Sequence, residues 1–245
     1  MIKETREKGF GLSLHARRGV IATAVGIAAV ASSSAFAGPD WDVDLSLDAG
    51  SSLVNAQIIS IQSPVLRITG KLLGLALEGP GDFQDVYLFS ITDPTTFRID
   101  TTSGGGSADF DTCMWLFSYD GKPLLGNNDA EEGVLGSLLV NQSNDGPSVT
   151  ITVPGLYYLA ITGFPSQPLD GSEPLFPKSV FTPGNITGGL GERFNGNWTK
   201  GGATGNYVLD VKGVSGVPAP GAVALLAIAS AFTGRASGRN RRTRA

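Results

Sequence analysis

Residues 81–133 read GDFQDVYLFSITDPTTFRIDTTSGGGSADFDTCMWLFSYDGKPLLGNNDAEEG, and the architecture of the chain can be worked out from them. Three runs alternate like strands: Val86 to Ile91, Thr96 to Thr101 and Thr112 to Ser118. Tyr87, Phe89 and Ile91 fall on one face of the first run, and Phe97 and Ile99 on one face of the second. Asp93-Pro94 stops the first run, because proline lacks the N–H that a ladder requires. Asp120-Gly121 marks a hairpin between Trp115–Ser118 and Pro123–Leu125. Acidic and amide side chains flank the runs at Asp82/Asp85, Asp109/Asp111 and Asn127/Asn128/Asp129.

The same rhythm extends outward. Asn55 to Ile61 and Val65 to Leu77 supply two or three further strands, with Gly70 and Gly74 as breaks or bulges. Ser148 to Val153, Pro154-Gly155 and Leu156 to Thr162 read as another hairpin, and Tyr207, Leu209 and Val211 close the domain. No part of the body has a helical period. The expectation is an all-β, jelly-roll-like antiparallel β-sandwich within residues 38–216, its core at about 50–212, with Trp115, Phe89 and Tyr157 buried. Residues 164–205 interrupt the pattern as a long loop rich in Pro, Gly and Asn that carries Phe176, Phe181, Phe194 and Trp198. Two readings of these aromatics compete: a staple holding the loop to the sandwich, which is favoured, and a surface for stacking sugar rings.

Both ends read as addresses. Lys3, Arg6, Lys8, Arg17 and Arg18 precede the apolar run Val20 to Ala31, and Ala35-Phe36-Ala37 forms an A-x-A cleavage site. Residues 1–37 are thus expected to be a secretory signal peptide, with Ala35 and Ala37 at the cut. After Gly216 come Val217-Pro218-Ala219-Pro220-Gly221, the apolar run Ala222 to Phe232, and five arginines ending at Arg244. The apolar run is short for a stable span, so transient insertion in the inner membrane is expected, its basic end held in the cytoplasm. The sandwich should therefore be flanked by an apolar helix at each end.

Charge and residue counts narrow the function. The whole chain carries −4, but residues 38–216 hold 8 Lys and Arg against 20 of the 22 Asp and Glu, a net charge of −12. Such a surface repels nucleic acid and attracts cations. His15, the only histidine, lies in the signal, so the exported chain cannot build Ser-His-Asp or Cys-His chemistry or a His-ligated zinc. Cys113 is the only cysteine; no intrachain disulfide is possible, and its strand setting suits a small core residue.

Two resemblances follow from these residues. The tail resembles a PEP-CTERM sorting signal, with Pro218-Ala219-Pro220 standing where that family has Pro-Glu-Pro. The body resembles the bacterial pre-peptidase C-terminal (PPC) domain in Asp85-Val86-Tyr87-Leu88-Phe89, Phe97–Thr102, Asp109-Phe110-Asp111, Trp115-Leu116-Phe117 with Asp120-Gly121, Asn127-Asn128-Asp129, Gly155–Ile161 and Gly205-Asn206-Tyr207. The first implies processing by an exosortase-type enzyme after passage through the secretion machinery. The second implies a non-catalytic sandwich, commonly accessory to secreted enzymes and in some members calcium-binding.

Calcium is the ligand whose chemistry suits the acidic strand ends, because it takes six to eight oxygen ligands from carboxylates, amides and carbonyls. Asn127-x-Asp129-x-Glu131 begins like an EF-hand loop, but Gly133 falls one position late and no glutamate closes the loop. A site shared among Asp82, Asp85, Asp109, Asp111, Asn127 and Asp129 at one sandwich end is one reading; turn capping by the same side chains is the other. A glycosidase pair at Asp109 and Asp111 is disfavoured, since paired Asp at a strand start is commoner as turn chemistry. The expected product is a non-catalytic protein of the cell surface or extracellular matrix. Extracellular polysaccharide is its candidate partner; a carbohydrate-binding module, resting on Trp198 and Phe194, or an accessory domain of a secreted hydrolase, is the alternative.

Overall fold

The computed structural model describes residues 48–60, 64–75, 81–146, 148–189, 193–199 and 201–217. Both expected terminal helices, and with them Ala35, Ala37, Pro218, Ala219 and Pro220, lie outside the described residues.

Two large sheets and one small one account for the strands. The seven-stranded sheet orders β1 (Gln57–Ile58), β3 (Gln84–Ile91), β9 (Gly155–Gly163), β6 (Thr112–Ser118), β7 (Pro123–Asn127) and β12 (Ile186–Thr187). Its seventh strand, β15 (Val214–Ser215), pairs beside β1 on the outer edge of β3. The five-stranded sheet orders β2 (Arg67–Leu72), β14 (Gly205–Lys212), β4 (Arg98–Asp100) and β8 (Leu138–Val140), and β5 (Ser107–Ala108) also pairs with β14. All pairings within them are antiparallel except β1 with β3. The all-β sandwich read from the sequence is present.

The inner faces of the two large sheets close one core. Tyr87, Phe89, Met114, Leu116, Leu159 and Ile161 from the first meet Ile68, Leu72, Ile99, Tyr207, Leu209 and Val211 from the second. β6 is apolar at nearly every position, which a strand with one wet face would not be. Its odd residues explain this: Cys113, Trp115 and Phe117 point away from the first core into a second one.

Residues 164–205 supply that second core. The segment expected as a loop carries β10 (Pro168–Asp170), β11 (Glu173–Pro174) and β13 (Asn197–Trp198), which form a three-stranded sheet, and β12, which extends the large one. Leu175, Phe176, Val180, Ile186 and Phe194 lie over Val86, Cys113, Trp115, Phe117 and Ala160. The rings of Trp115 and Phe176 are 5.0 Å apart, and Phe117 stacks on Phe194 at 5.0 Å. Gly126 makes room for this, since a Cβ there would come within 3.0 Å of both Phe176 and Trp115. The aromatics staple the segment down.

Two expectations are corrected. Ser148 to Val153 does not form a hairpin with Leu156 to Thr162, because β9 already has β3 and β6 on its two edges. It instead runs irregularly against residues 141–143, through Ile151 N–H to Asn141 carbonyl (2.7 Å) and a bridge of Gln142 with Thr150. Tyr157 is only half-buried, at the rim of the first core, where its hydroxyl donates to the Val153 carbonyl at 2.7 Å. Trp115 and Phe89 are fully buried as expected. Trp115→Ala and Phe176→Ala should each cost about 3–5 kcal/mol by urea denaturation, the usual loss for a large core aromatic. An unchanged midpoint for Phe176→Ala would mean that the segment is not part of the cooperative core.

Candidate functional site

The acidic side chains expected at one end of the sandwich are all there, but they do not converge. Asp85 on β3 pairs with Ile161, Ile161 with Met114, and Met114 with Asn127 at the end of β7. Three strand spacings of nearly 5 Å separate Asp85 from Asn127, about 14 Å in all. One ion, with oxygens at 2.3–2.6 Å, cannot reach across that gap. The set divides in two.

The first group gathers Asp48, Asp82 and Asp85, one carboxylate oxygen from each lying within 4.8 Å of the others. That limit is about twice a calcium–oxygen distance, so the three can converge on one ion. All are hard carboxylate donors; the group contains neither sulfur nor imidazole, which suits Ca²⁺. Asp48 is exposed, whereas Asp82 and Asp85 are buried. Asp48 is held by its own turn, where its Oδ1 accepts the Gly50 N–H at 2.8 Å, and the Gly50 carbonyl in turn accepts from Val86 of β3. Asp82 Oδ2 accepts the Leu73 N–H at 2.7 Å, and its backbone bridges Gly74.

Asp85 is the unusual member, a fully buried carboxylate that shares its strand face with Tyr87 and Phe89. Tyr207, from the opposite sheet, donates its hydroxyl to Asp85 Oδ2 at 2.5 Å and also lies 2.5 Å from the Tyr87 hydroxyl. Complete burial, and then the charge of Asp85, push the Tyr207 phenol pKa well up, so it stays a donor. Gly70 neither breaks nor bulges β2, which runs through it in unbroken register with β14; it faces Tyr207, and a Cβ there would sit 2.2 Å from the phenol oxygen.

The second group, Asp111 and Asp129, lies near Cys113 on the face covered by residues 164–205. Burial, then the charge of Asp129, raises the Asp111 pKa; burial raises that of Asp129, opposed by a hydrogen bond from Asn128. The Cys113 thiol is driven well above its usual value by burial and by both carboxylates, and its Sγ donates to Asn128 Oδ1 at 2.9 Å. It is a core residue. Asn127 uses both ends of its amide structurally: Oδ1 accepts the Leu138 N–H at 2.7 Å and Nδ2 donates to the Asp129 carbonyl at 3.2 Å. Asp109 clamps the start of β14, accepting from Asn206 N and Nδ2 at 2.7 and 2.8 Å. Structural hydrogen bonds therefore occupy Asn127 and Asp109, chiefly to Leu138 and Asn206, distant in the chain, rather than as caps of their own turns.

Beside the first group opens a cleft of about 410 Å³, lined by Asp48, Asp82, Ser51, Asn55, Gln84 and Thr199, with Phe83 and Trp198 among its walls. Asp48 is absent from the set expected from the sequence because it stands 34 residues before Asp82, ahead of the first expected strand. The local sign was Asp48-Ala49-Gly50, an aspartate two residues before a glycine turn.

Fold and site together define an all-β sandwich module with a carboxylate cluster and a polar cleft at one end. Residues 83–163 match the family model of the bacterial pre-peptidase C-terminal domain. No curated protein and no solved structure matches the chain. The matched segment includes Asp85 and the whole second acidic pair, but Asp48, Asp82, Trp198 and Tyr207 fall outside it.

The raised carboxyls predict a pH effect. A carboxyl with a folded-state pKa above its unfolded value binds its proton more tightly in the fold. Its stabilisation is full below the ordinary value of 3.8 and is lost as pH rises through the raised one. Asp111→Asn and Asp129→Asn should therefore be more stable than the parent at neutral pH, and the advantage should vanish below about pH 3.8. Denaturant titrations across that range measure it; a loss of stability at pH 7 in both variants would show that the ionised forms are held by partners.

Proposed function

We propose that this chain is a non-catalytic, exported protein of the cell surface or extracellular matrix, a jelly-roll-like module that binds calcium through Asp48, Asp82 and Asp85. The convergence of three carboxylate oxygens within 4.8 Å, two of the residues being buried, is the observation that carries the calcium reading. Carboxylates held this close repel one another, and a divalent cation turns that repulsion into coordination. Asp82 would present its carboxylate from the β2–β3 bridge, Asp85 from the inter-sheet core and Asp48 from its turn. The match to residues 83–163 supports the sandwich module, and the PPC resemblance supports a binding role rather than a catalytic one.

Binding only the native state stabilises it by RT ln(1 + [Ca]/Kd), about 1.4 kcal/mol at ten times Kd. Calcium should thus raise the melting temperature by about 3–5 °C at that concentration. Magnesium should do less, because it resists dehydration and demands stricter geometry. Asp48→Asn and Asp82→Asn should abolish the response while Asp129→Asn keeps it. Equal shifts from calcium, magnesium and NaCl of matched ionic strength would reduce the effect to screening of the acidic surface and remove the site.

Export and sorting belong to the same proposal. The eleven-residue run Ala222–Phe232, apolar except for Ser230 and followed by five arginines, can halt transfer but spans poorly. The mature protein should lack residues 1–37 and the segment from about Val217 onward, removed by a signal peptidase and an exosortase-type enzyme. Intact-mass measurement on protein recovered from the cell surface or medium tests this, and finding the Arg-rich tail there would refute processing.

A further inference from the structure

We propose that the cleft between Asp82 and Trp198 is a subsite for a neutral, hydroxyl-rich glycan. The inference rests on the reading of the chain as a non-catalytic binding module; the cleft shares Asp48 and Asp82 with the proposed calcium site. At about 410 Å³ the cleft is in the size range of small-ligand sites.

Its aromatic walls are set before a ligand arrives. The Trp198 indole N–H donates to the Ser51 carbonyl at 2.7 Å, and the ring packs edge-on against buried Phe194 at 4.8 Å. Phe83 lies over two glycines; a Cβ at Gly81 or Gly201 would come within 2.8 or 2.6 Å of its ring. With the indole nitrogen committed, Trp198 offers apolar ring surface, which suits the C–H faces of a sugar. Fixed walls also spare the ordering cost that weakens binding to mobile ones.

The polar lining selects among ligands. The described lining carries the carboxylates of Asp48 and Asp82, which disfavour phosphate, sulfate and uronate by like-charge repulsion. Asp48 and Asp82 are acceptors. Asn55 Oδ1 is taken by the backbone N–H and the hydroxyl of Ser52 at 2.8 and 2.6 Å, so its donor end remains to serve a ligand. An ammonium group would suit the two carboxylates but give an amide donor nothing to bind. A sugar hydroxyl both donates and accepts, and so matches both kinds of group.

The purified chain, in calcium buffer, should be tested against cellohexaose, mannohexaose, xylohexaose and laminarihexaose, with polygalacturonate and spermine as charged probes. Binding to at least one neutral glycan is expected. Trp198→Ala should weaken it by about tenfold or more, the scale on which truncating an aromatic anchor is felt. Trp198→Tyr should retain most of it. Asn55→Ala, on an exposed residue, should weaken binding with little change in melting temperature and so separates recognition from folding. No neutral glycan bound, or affinity unchanged in both Trp198→Ala and Asn55→Ala, overturns the inference; retention of spermine alone would make this an ammonium site and overturn it equally. A normal calcium-induced thermal shift in the same preparation assigns such a failure to the glycan inference alone, whereas a missing shift with glycan bound would count against the calcium site only.

Discussion

The structure depends on a sheet that is apolar on both faces. β3, β9 and β6 present one set of side chains to the five-stranded sheet and the other to residues 164–205. Burying one face gives an ordinary sandwich; the second face would leave Trp115, Phe117, Leu88 and Tyr158 in contact with water. An exposed patch of that size invites association. The segment 164–205 removes it with its own aromatics, which is why it resembles a loop in composition and a layer in packing.

Against this apolar background the buried carboxylate of Asp85 stands out. A charge taken out of water is costly unless it is hydrogen-bonded or paired. Tyr207 meets part of that cost by reaching across from β14, and Gly70 opposite leaves space for its phenol. The same contact links the two large sheets at the end where Asp48 and Asp82 gather. Asp85 thus belongs both to the inter-sheet core and to the candidate cation site. Ligation at that end would act on a residue packed among the core's largest side chains.

Sheet geometry also decides what cannot be shared. Asp111 leads into β6, two spacings from Asp85 on β3, and Asp129 follows β7, three spacings away; alternation turns Asp85 toward one core and Cys113, beside Asp111 and Asp129, toward the other. One group has three convergent carboxylates and a cleft. The other has two carboxyls whose pKa values are raised, both by burial and Asp111 also by the charge of Asp129. Similar letters in the sequence have acquired different chemistry.

The sequence alone determined the central strands β3, β6, β9 and β14, the Asp120-Gly121 hairpin and the inward faces of Tyr87, Phe89 and Ile99. These are local properties: alternation has a period of two, and turn residues act within a few positions. The unbroken apolar run at Cys113–Phe117 is itself the local sign of two-sided burial. Only the tertiary structure decided that Asp48 joins Asp82 and Asp85, that Asp111 and Asp129 stand apart, and that Trp198 lines a cleft while Phe194 is buried. Those outcomes depend on strand order, and strand order places residues far apart in the chain either on neighbouring strands or several spacings from one another. Spacing along a sequence does not carry that distance.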